Sequence, residues 1–224
     1  MPTLNENIAE ITGMLIGDGC ISRYKTSEGR IRTFLLLSGH STNDIQYYKN
    51  TIIPIFKKEF GINGRLYLRK DTKALLYWIG DKEVIAHFIK MGFPVGKKSS
   101  NIKIPTPVRC NPALLKACIR GIFNSDGCVY RRYSKKYKNQ RTSYMNYAVI
   151  QFKMKSKALL KQIRNTLIKM GYKANAIRKV DAVYVLRITH QYYVKLFMDD
   201  FSINHPYHLE RFNGIVLSPK APDS

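Results

Sequence analysis

The sequence contains few acidic residues and no long apolar run. Its 224 residues include 15 Asp and Glu against 38 Lys and Arg, which gives a formal net charge of +23. Apolar runs such as residues 34–37 and 52–56 are far shorter than the ~20 residues that a membrane-spanning helix needs. The first residues lack the charged and apolar pattern of a signal peptide. We therefore expect an intracellular protein, in the cytoplasm or in an organelle matrix.

The shortage of acidic residues indicates a polyanionic partner. A positive excess of this size exceeds what solubility requires, and nucleic acid is the first partner to consider. An anionic membrane surface is the alternative. The basic residues, however, follow alternating strand patterns and are not gathered on one amphipathic helix, so a membrane partner is disfavoured.

The cysteine spacing gives no sign of a zinc site. Cys20, Cys110, Cys118 and Cys128 never form a Cys-x-x-Cys pair, and the pattern predicts free buried thiols. His205 and His208 are the best histidine pair for a metal. The proline between them disfavours the regular helical spacing that such a pair uses.

Two short segments, residues 11–19 and 119–127, have similar sequences. Each is mostly apolar, ends in Asp-Gly followed by Cys, and carries small residues four positions apart: Gly13 and Gly17 in the first, Gly121 and Ser125 in the second. On a helix such positions share one face, so two of these helices can approach closely along the small residues. If the helices run side by side in one direction, Asp18 and Asp126 emerge at the same end. Two carboxylates at one point favour a divalent cation.

Both segments resemble the LAGLIDADG motif of homing endonucleases. The resemblance rests on the small residues at the third and seventh motif positions and on the closing pairs Asp18-Gly19 and Asp126-Gly127. The sixth position departs from the family name, with Ile16 in one copy and Asn124 in the other. Two copies in one basic chain make a single-chain, two-motif member of that family the natural interpretation.

The order of predicted elements supports a duplication. Helix and strand periodicities predict the unit αββαββα twice, with Thr3 and Glu6 as a capping box for the first helix and Asn111 as the N-cap of the second motif helix. We expect a first half at residues 1–99, a linker at 100–111 and a second half at 112–224. The resemblance implies an α+β fold with a pseudo-twofold axis, whose antiparallel sheets form a saddle over DNA.

Exposed basic faces of these sheets would read the major groove. Arg and Lys recognise guanine, and Gln or Asn recognises adenine. The residues that we predict to contact DNA from the strands are Arg23, Lys25, Arg30, Arg32, Arg65, Tyr67, Arg69, Gln151, Lys153, Arg178, Lys179 and Arg187. A long basic hairpin adds Arg131, Arg132, Lys135, Lys136, Lys138 and Arg141, which would reach phosphates or flanking bases.

The resemblance also implies the catalytic residues. Asp18 and Asp126 would bind Mg²⁺, or Mn²⁺ or Ca²⁺ in its place, assisted by the carbonyls of Gly17 and Ser125. Lys97, Lys98 and Lys155 match the lysines that family members keep around the metals, and His40 takes the place of Lys155 in the first half. The second half has no lysine equivalent to Lys97 and Lys98, and His208 or Arg211 is the candidate substitute. The half-sites are therefore unequal, and we expect one DNA strand to be cut faster.

By resemblance, the function is site-specific cleavage of double-stranded DNA at a long asymmetric target, with short 3′ overhangs, by a monomeric, intron-encoded enzyme. Two other functions stay open. The same fold serves RNA maturases that assist intron splicing, and Tyr130, Tyr133, Tyr137, Tyr144 and Tyr147 could stack on unpaired bases. A DNA-binding regulator without catalysis is the third possibility, which the intact Asp residues disfavour.

Overall fold

The computed structural model describes residues 2–98, 100–132 and 147–216. The first half contains α1 (Glu6–Ile16), β1 (Gly19–Lys25), β2 (Ile31–His40), α2 (Ile45–Tyr47), a π-helical turn (Tyr48–Ile52), α3 (Ile53–Phe60), β3 (Arg65–Arg69), β4 (Ala74–Ile79) and α4 (Lys82–Lys90). After the short α5 (Thr106–Arg109), the second half contains α6 (Pro112–Asp126), β5 (Gly127–Arg132), β6 (Tyr147–Met154), α7 (Lys157–Lys169), β7 (Arg178–Val180), β8 (Val183–Ile188), α8 (Gln191–Asp200) and α9 (Pro206–Val216).

The strands form two similar antiparallel sheets. Their orders are β1-β2-β4-β3 and β5-β6-β8-β7, and every neighbouring pair is antiparallel. In each sheet one face packs on helices and the other is open; along β2 and β4 of the first sheet, for example, buried residues alternate with partly exposed ones. The predicted duplicated α+β architecture is confirmed.

The motif helices α1 and α6 pack directly on each other at the centre of the molecule. A side-chain carbon on Gly13 would overlap the carbonyl oxygen of Cys118, and one on Gly121 would overlap the carbonyl oxygen of Glu10. The two glycines therefore permit a backbone-to-backbone approach that no other residue allows.

The first helix begins differently from the prediction. Asn5 is the N-cap of α1, and its side-chain oxygen accepts a hydrogen bond from the Ile8 amide at 3.0 Å. The predicted capping box at Thr3 is wrong. Asn is among the best N-cap residues, and Asn5 is also held by Glu59, whose carboxylate accepts from the Asn5 amide group at 2.6 Å. That long-range contact is invisible in the local pattern.

The sequence predicts a kink at Pro54, and the structure has a π-helical turn just before it. Proline removes one amide donor and clashes with the carbonyl four residues earlier. The wider turn at Tyr48–Ile52 precedes Pro54 within the continuous helical stretch that ends at Phe60. Gly61 ends this stretch at φ 68, as the sequence predicts.

Helix α9 was not predicted. Pro206 occupies its first position, where a missing amide costs nothing, so the proline begins a helix and does not break one. The sequence predicts a strand at residues 175–179, but β7 covers only Arg178–Val180. Of the four cysteines, which were expected to be buried, Cys118 is buried and Cys110 is exposed. Within the described residues, no helix is long and apolar enough to cross a membrane.

Candidate active site and nucleic-acid interface

The ends of α1 and α6 bring the two motif aspartates together. A side-chain carbon added to Gly17 would overlap the Ser125 hydroxyl and would lie 3.4 Å from Oδ2 of Asp126. Asp18 follows Gly17 directly, and its carboxylate raises the pKa of Asp126 by repulsion. The two ends differ in detail, because α1 ends at Ile16 whereas α6 extends to Asp126.

Both carboxyl groups are costly to ionise at this position. Desolvation by burial, followed by repulsion from Asp18, raises the pKa of Asp126 to about 7 despite the nearby Lys98. Burial also raises the pKa of Asp18, which Lys98 lowers and Asp44 raises further. A bound cation would remove this repulsion, so the pair is suited to hold one.

Lys98 places a positive charge near both aspartates. Its ammonium donates to the carbonyls of Leu15 at 3.2 Å and Ile16 at 2.7 Å, and also to the carbonyl of Gly17. Burial lowers the pKa of Lys98, while Asp126 and Asp18 oppose that shift. The carbonyls that end α1 therefore already bind a cation, in this case one supplied by the chain.

The oxygen atoms present fit a magnesium ion. Within the part of the chain that the structure describes, no three His, Cys, Asp or Glu side chains converge on one point. The candidate ligands are thus two carboxylates and the backbone carbonyls beside them. Mg²⁺ keeps several of its waters and needs only one or two protein carboxylates plus a substrate phosphate, so this small set of hard oxygen donors is sufficient.

The predicted lysines converge on one groove beside Asp126. This groove has a volume of about 910 Å³, and its lining includes Gly17, Lys97, Lys98, Asp126, Lys153 and Lys155. A cluster of four lysines next to a carboxylate favours a phosphate ligand over an apolar one.

His40 lies at the position equivalent to Lys155 in the other sheet. Gly19 pairs with Leu37, and Gly127 pairs with Phe152, so His40 and Lys155 are each three residues beyond an equivalent pair. Nδ1 of His40 accepts from the Asn43 amide at 3.3 Å. The half-sites are therefore chemically different at matched positions.

His208 does not replace the missing second-half lysine. It is buried on α9, with its ring centroid 4.9 Å from that of Phe123 and 4.8 Å from that of His205. Burial lowers its pKa to about 3. The interpretation of His208 as a substitute is wrong, because the side chain is part of the core. Arg211 donates to the Tyr207 hydroxyl at 2.7 Å on the same helix.

The open face of the first sheet carries only part of the predicted DNA-binding set. Arg32, Arg65, Tyr67 and Arg69 line this face. Arg23 and Lys25 pair with Thr33 and Ile31, which places them on the opposite face. Arg30 lies in the turn before β2 and forms an exposed ion pair with Glu28 at 3.5 Å.

The open face of the second sheet presents Arg132, Gln151, Lys153, Arg178 and Arg187, as strand register shows. Nε of Arg187 donates to the Gln151 side chain at 2.7 Å, so these two side chains form a fixed pair.

Two predicted contacts of the second half lie on the inner face. Arg131 pairs with the buried Ala148 and donates to the Gly214 carbonyl at 2.8 Å, which anchors α9. Lys179 pairs with Tyr184 on the inner side. Lys135, Lys136, Lys138 and Arg141 lie outside the described residues.

The apolar part of the first open face was not predicted from the sequence. Tyr24, Phe34, Leu36, Leu76 and Trp78 lie there between the arginines. The signal was present, because Phe34 and Leu36 continue the alternation that begins at Arg32. They were not predicted because the DNA-binding residues were chosen for their charge or polarity.

A buried polar cluster between the halves was also missed. Glu10 accepts from Arg120 at 2.6 Å and from the Tyr47 hydroxyl at 2.6 Å. Asn124, at the sixth position of the second motif, donates to the Tyr47 hydroxyl at 3.0 Å and to the Asn204 side chain at 2.9 Å. A charged residue within each apolar motif helix was the only signal for this cluster in the sequence.

Comparison with known proteins agrees with this arrangement. A family model described as a LAGLIDADG-like domain matches residues 113–201, which include the second motif. A structure of I-DmoI in complex with DNA and Mn is 21% identical, has a TM-score of 0.61, and matches over 89% of this chain and 98% of that chain. The meganuclease I-AabMI bound to uncleaved DNA is 13% identical, has a TM-score of 0.63, and matches over 96% and 90%.

At these identities the solved structures establish the shared fold. The family match covers residues 113–201 and includes the second motif. The second half therefore matches the LAGLIDADG-like domain family, and almost the whole chain shares the fold of a LAGLIDADG meganuclease.

Proposed function

We propose that this protein is a metal-dependent endonuclease that hydrolyses double-stranded DNA at one long asymmetric site. The observation that carries the proposal is the half-buried pair Asp18 and Asp126, located where α1 and α6 lead into the first strands of the two sheets and beside a groove lined by four lysines. Mg²⁺ is the proposed cofactor, and short 3′ overhangs are the proposed product.

The two unequal halves support an asymmetric DNA site. Both motifs belong to one chain, so a monomer supplies both carboxylates and both sheets. The equivalent open-face positions carry different side chains in the two sheets, for example Leu36 and Gln151. A palindromic target would present the same bases to surfaces that differ. The I-DmoI and I-AabMI structures contain DNA, which is consistent with this partner.

The chain's own groups have distinct roles at the scissile phosphates. Asp18 and Asp126, with the carbonyls of Gly17 and Ser125, would hold the divalent ion. When bound, the ion activates water and stabilises the charge that develops on the phosphate. The ammonium group of Lys98 donates hydrogen bonds to the carbonyls at the end of α1. It also keeps a positive charge beside both carboxylates. Lys155, in the groove beside Asp126, is placed to donate to a phosphate oxygen or a water molecule.

The difference between His40 and Lys155 supports unequal cleavage of the two strands. A lysine ammonium is a donor on a long flexible chain, whereas an imidazole is a shorter ring, and Nδ1 of His40 already accepts from the Asn43 amide at 3.3 Å. We expect a nicked intermediate to accumulate in a time course on supercoiled DNA. Replacing His40 by Lys should raise the rate of the slower strand. Equal nicking rates on both strands in the wild type would contradict this part of the proposal.

The decisive experiment is cleavage of genomic DNA and of a plasmid library of long inserts with Mg²⁺, followed by sequencing of the ends. The Asp18→Asn/Asp126→Asn variant is the matched control, because it keeps the shape of both side chains and removes both charges. Staggered ends at one long site, absent with the variant, would support the proposal. Tight binding to intron RNA without any DNA cleavage would overturn it in favour of a maturase.

A further inference from the structure

The two open faces differ in chemistry at equivalent positions. Strand register makes Leu36 equivalent to Gln151 and Trp78 equivalent to Arg187. In the second sheet the Gln151–Arg187 pair is polar and hydrogen-bonded at 2.7 Å. In the first sheet the same two positions are apolar. Tyr67 is likewise equivalent to Arg178.

An ordered row of aromatic rings crosses the first sheet. The ring centroids of Tyr24 and Phe34 are 5.8 Å apart, and those of Phe34 and Trp78 are 6.0 Å apart with planes at 22°. The guanidinium carbon of Arg65 lies 6.0 Å from the Trp78 ring centroid. The row therefore runs through β1, β2, β4 and β3 in their spatial order.

Neighbouring side chains lie on either side of the Phe34 and Trp78 rings. Phe34 and Arg65 belong to the strands on either side of β4, so Trp78 is covered from both sides. Phe34 is similarly flanked by Tyr24 and Trp78. Stacking of an unpaired base needs a free ring face. Contact with a small apolar group at the floor of a groove needs only the exposed ring edges and the leucine side chains.

The surroundings of the row match a DNA groove. The apolar residues form the floor of an open groove of about 760 Å³, whose lining also includes Arg32, Arg65 and Arg69. Tyr24 and Tyr67 remain 43% and 48% exposed. An apolar patch framed by arginines on a chain of net charge +23 is suited to a ligand with anionic edges and an apolar interior.

Thymine is the base that offers an apolar group in the major groove. Its 5-methyl group is recognised by apolar side chains, whereas guanine and adenine are read by Arg and by Asn or Gln. Resting on the proposed binding of duplex DNA, we propose that the first sheet selects a thymine-rich half-site by contact of Leu36, Phe34 and Trp78 with thymine methyl groups. The second sheet reads its half-site through the polar pair Gln151 and Arg187.

The test removes the methyl groups and leaves the base pairs intact. Wild-type protein selects duplexes from a random library in the presence of Ca²⁺, and the preferred duplex is then prepared with deoxyuridine in place of thymine in one half at a time. Each lost methyl contact should weaken binding about fourfold. We expect this loss in one half, and less than a twofold change in the other.

Substitutions identify which half is affected. Leu36→Gln/Trp78→Arg gives the first sheet the side chains that Gln151 and Arg187 have at the equivalent positions of the second sheet. It should abolish the deoxyuridine effect and shift the preferred bases of that half towards adenine and guanine. Tyr67→Arg places an arginine, as at the equivalent Arg178, at an exposed position of the first sheet. A changed base preference in one half of the duplex then identifies the half that this sheet contacts, even if the double variant does not fold. Trp78 is the sole tryptophan of the chain, so its fluorescence reports occupancy of this face directly.

The outcomes separate the two proposals. A single preferred duplex that is bound and cut equally well with deoxyuridine in both halves would overturn methyl recognition and leave the endonuclease proposal standing. Preference for single-stranded RNA over every duplex, with a change in Trp78 fluorescence, would overturn both.

Discussion

The Glu10 carboxylate and the Arg120 guanidinium form an ion pair at 2.6 Å between the two motif helices. The side chains are 2% and 15% exposed, so the pair is largely removed from water. The Tyr47 hydroxyl and a second Arg120 nitrogen complete the bonds to the carboxylate. The pair thus fixes the register of α1 against α6, and with it the separation of Asp18 and Asp126.

Removal of Arg120 should destabilise the fold strongly. Arg120→Met leaves the Glu10 carboxylate buried without its counter-charge, which typically costs about 3–5 kcal/mol in the free energy of unfolding. Chemical denaturation at pH 8 measures the loss, with the exposed Lys161→Met as the control. Adding Glu10→Gln removes the unpaired charge, so the double variant should recover part of the loss. A double variant as unstable as Arg120→Met would argue against a buried charge as the cause.

The same substitution should have opposite effects at two glycines. Gly13→Ala places a methyl group against the Cys118 backbone, and neither helix can give way without separating the aspartates. We expect a loss of about 3 kcal/mol or failure to fold. Gly214→Ala, in α9, meets nothing within 4 Å and should stabilise by about 0.5–1 kcal/mol. Thermal melting of both variants tests this; tolerance of Gly13→Ala would contradict the close helix packing.

Asp126→Asn should stabilise the metal-free protein while abolishing cleavage. The pKa of Asp126 is raised from 3.8 in the unfolded chain to about 7 in the fold. The folded state therefore binds the proton more tightly, and its stability falls as the pH rises from 4 through 7. Asparagine avoids this loss, so we expect a gain of about 1–3 kcal/mol at pH 8 and little gain at pH 4.

Denaturation of both proteins across this pH range, in EDTA, measures the difference. If the Asn variant shows the same pH dependence of stability as the wild type, ionisation of Asp126 does not destabilise the folded protein.

Lys98 should matter for cleavage far more than its neighbour. Lys98→Met removes the half-buried positive charge beside Asp18 and Asp126, and loss of one preorganised group of this kind typically lowers kcat about 100-fold to 1,000-fold. Lys97 is exposed, and Lys97→Met should change kcat less than tenfold. Single-turnover cleavage separates kcat from DNA affinity, which should change little. Equal losses of kcat in the two variants would show that the position of Lys98 has no special role in cleavage.

Local patterns predicted most of the elements. Alternation placed Arg65, Tyr67 and Arg69 on one face of β3, and glycine ended the helices before Gly61 and Gly171. Both features depend on neighbours within a few residues, so the sequence carries them. Arg23, Lys25 and Lys179 were assigned to the wrong face because strand pairing sets the side that each residue takes. The neighbouring strand is far away in the chain.

The sequence by itself determined the duplication, the two aspartates and the apolar helices with small residues that bring them together. These features repeat within the chain and follow from helical periodicity. Only the tertiary structure decided that Lys98 enters the end of α1, that His208 is buried in the core and that aromatic residues form the floor of the first groove. Each of these depends on contacts between distant segments, whose burial and charge determine what a side chain can do.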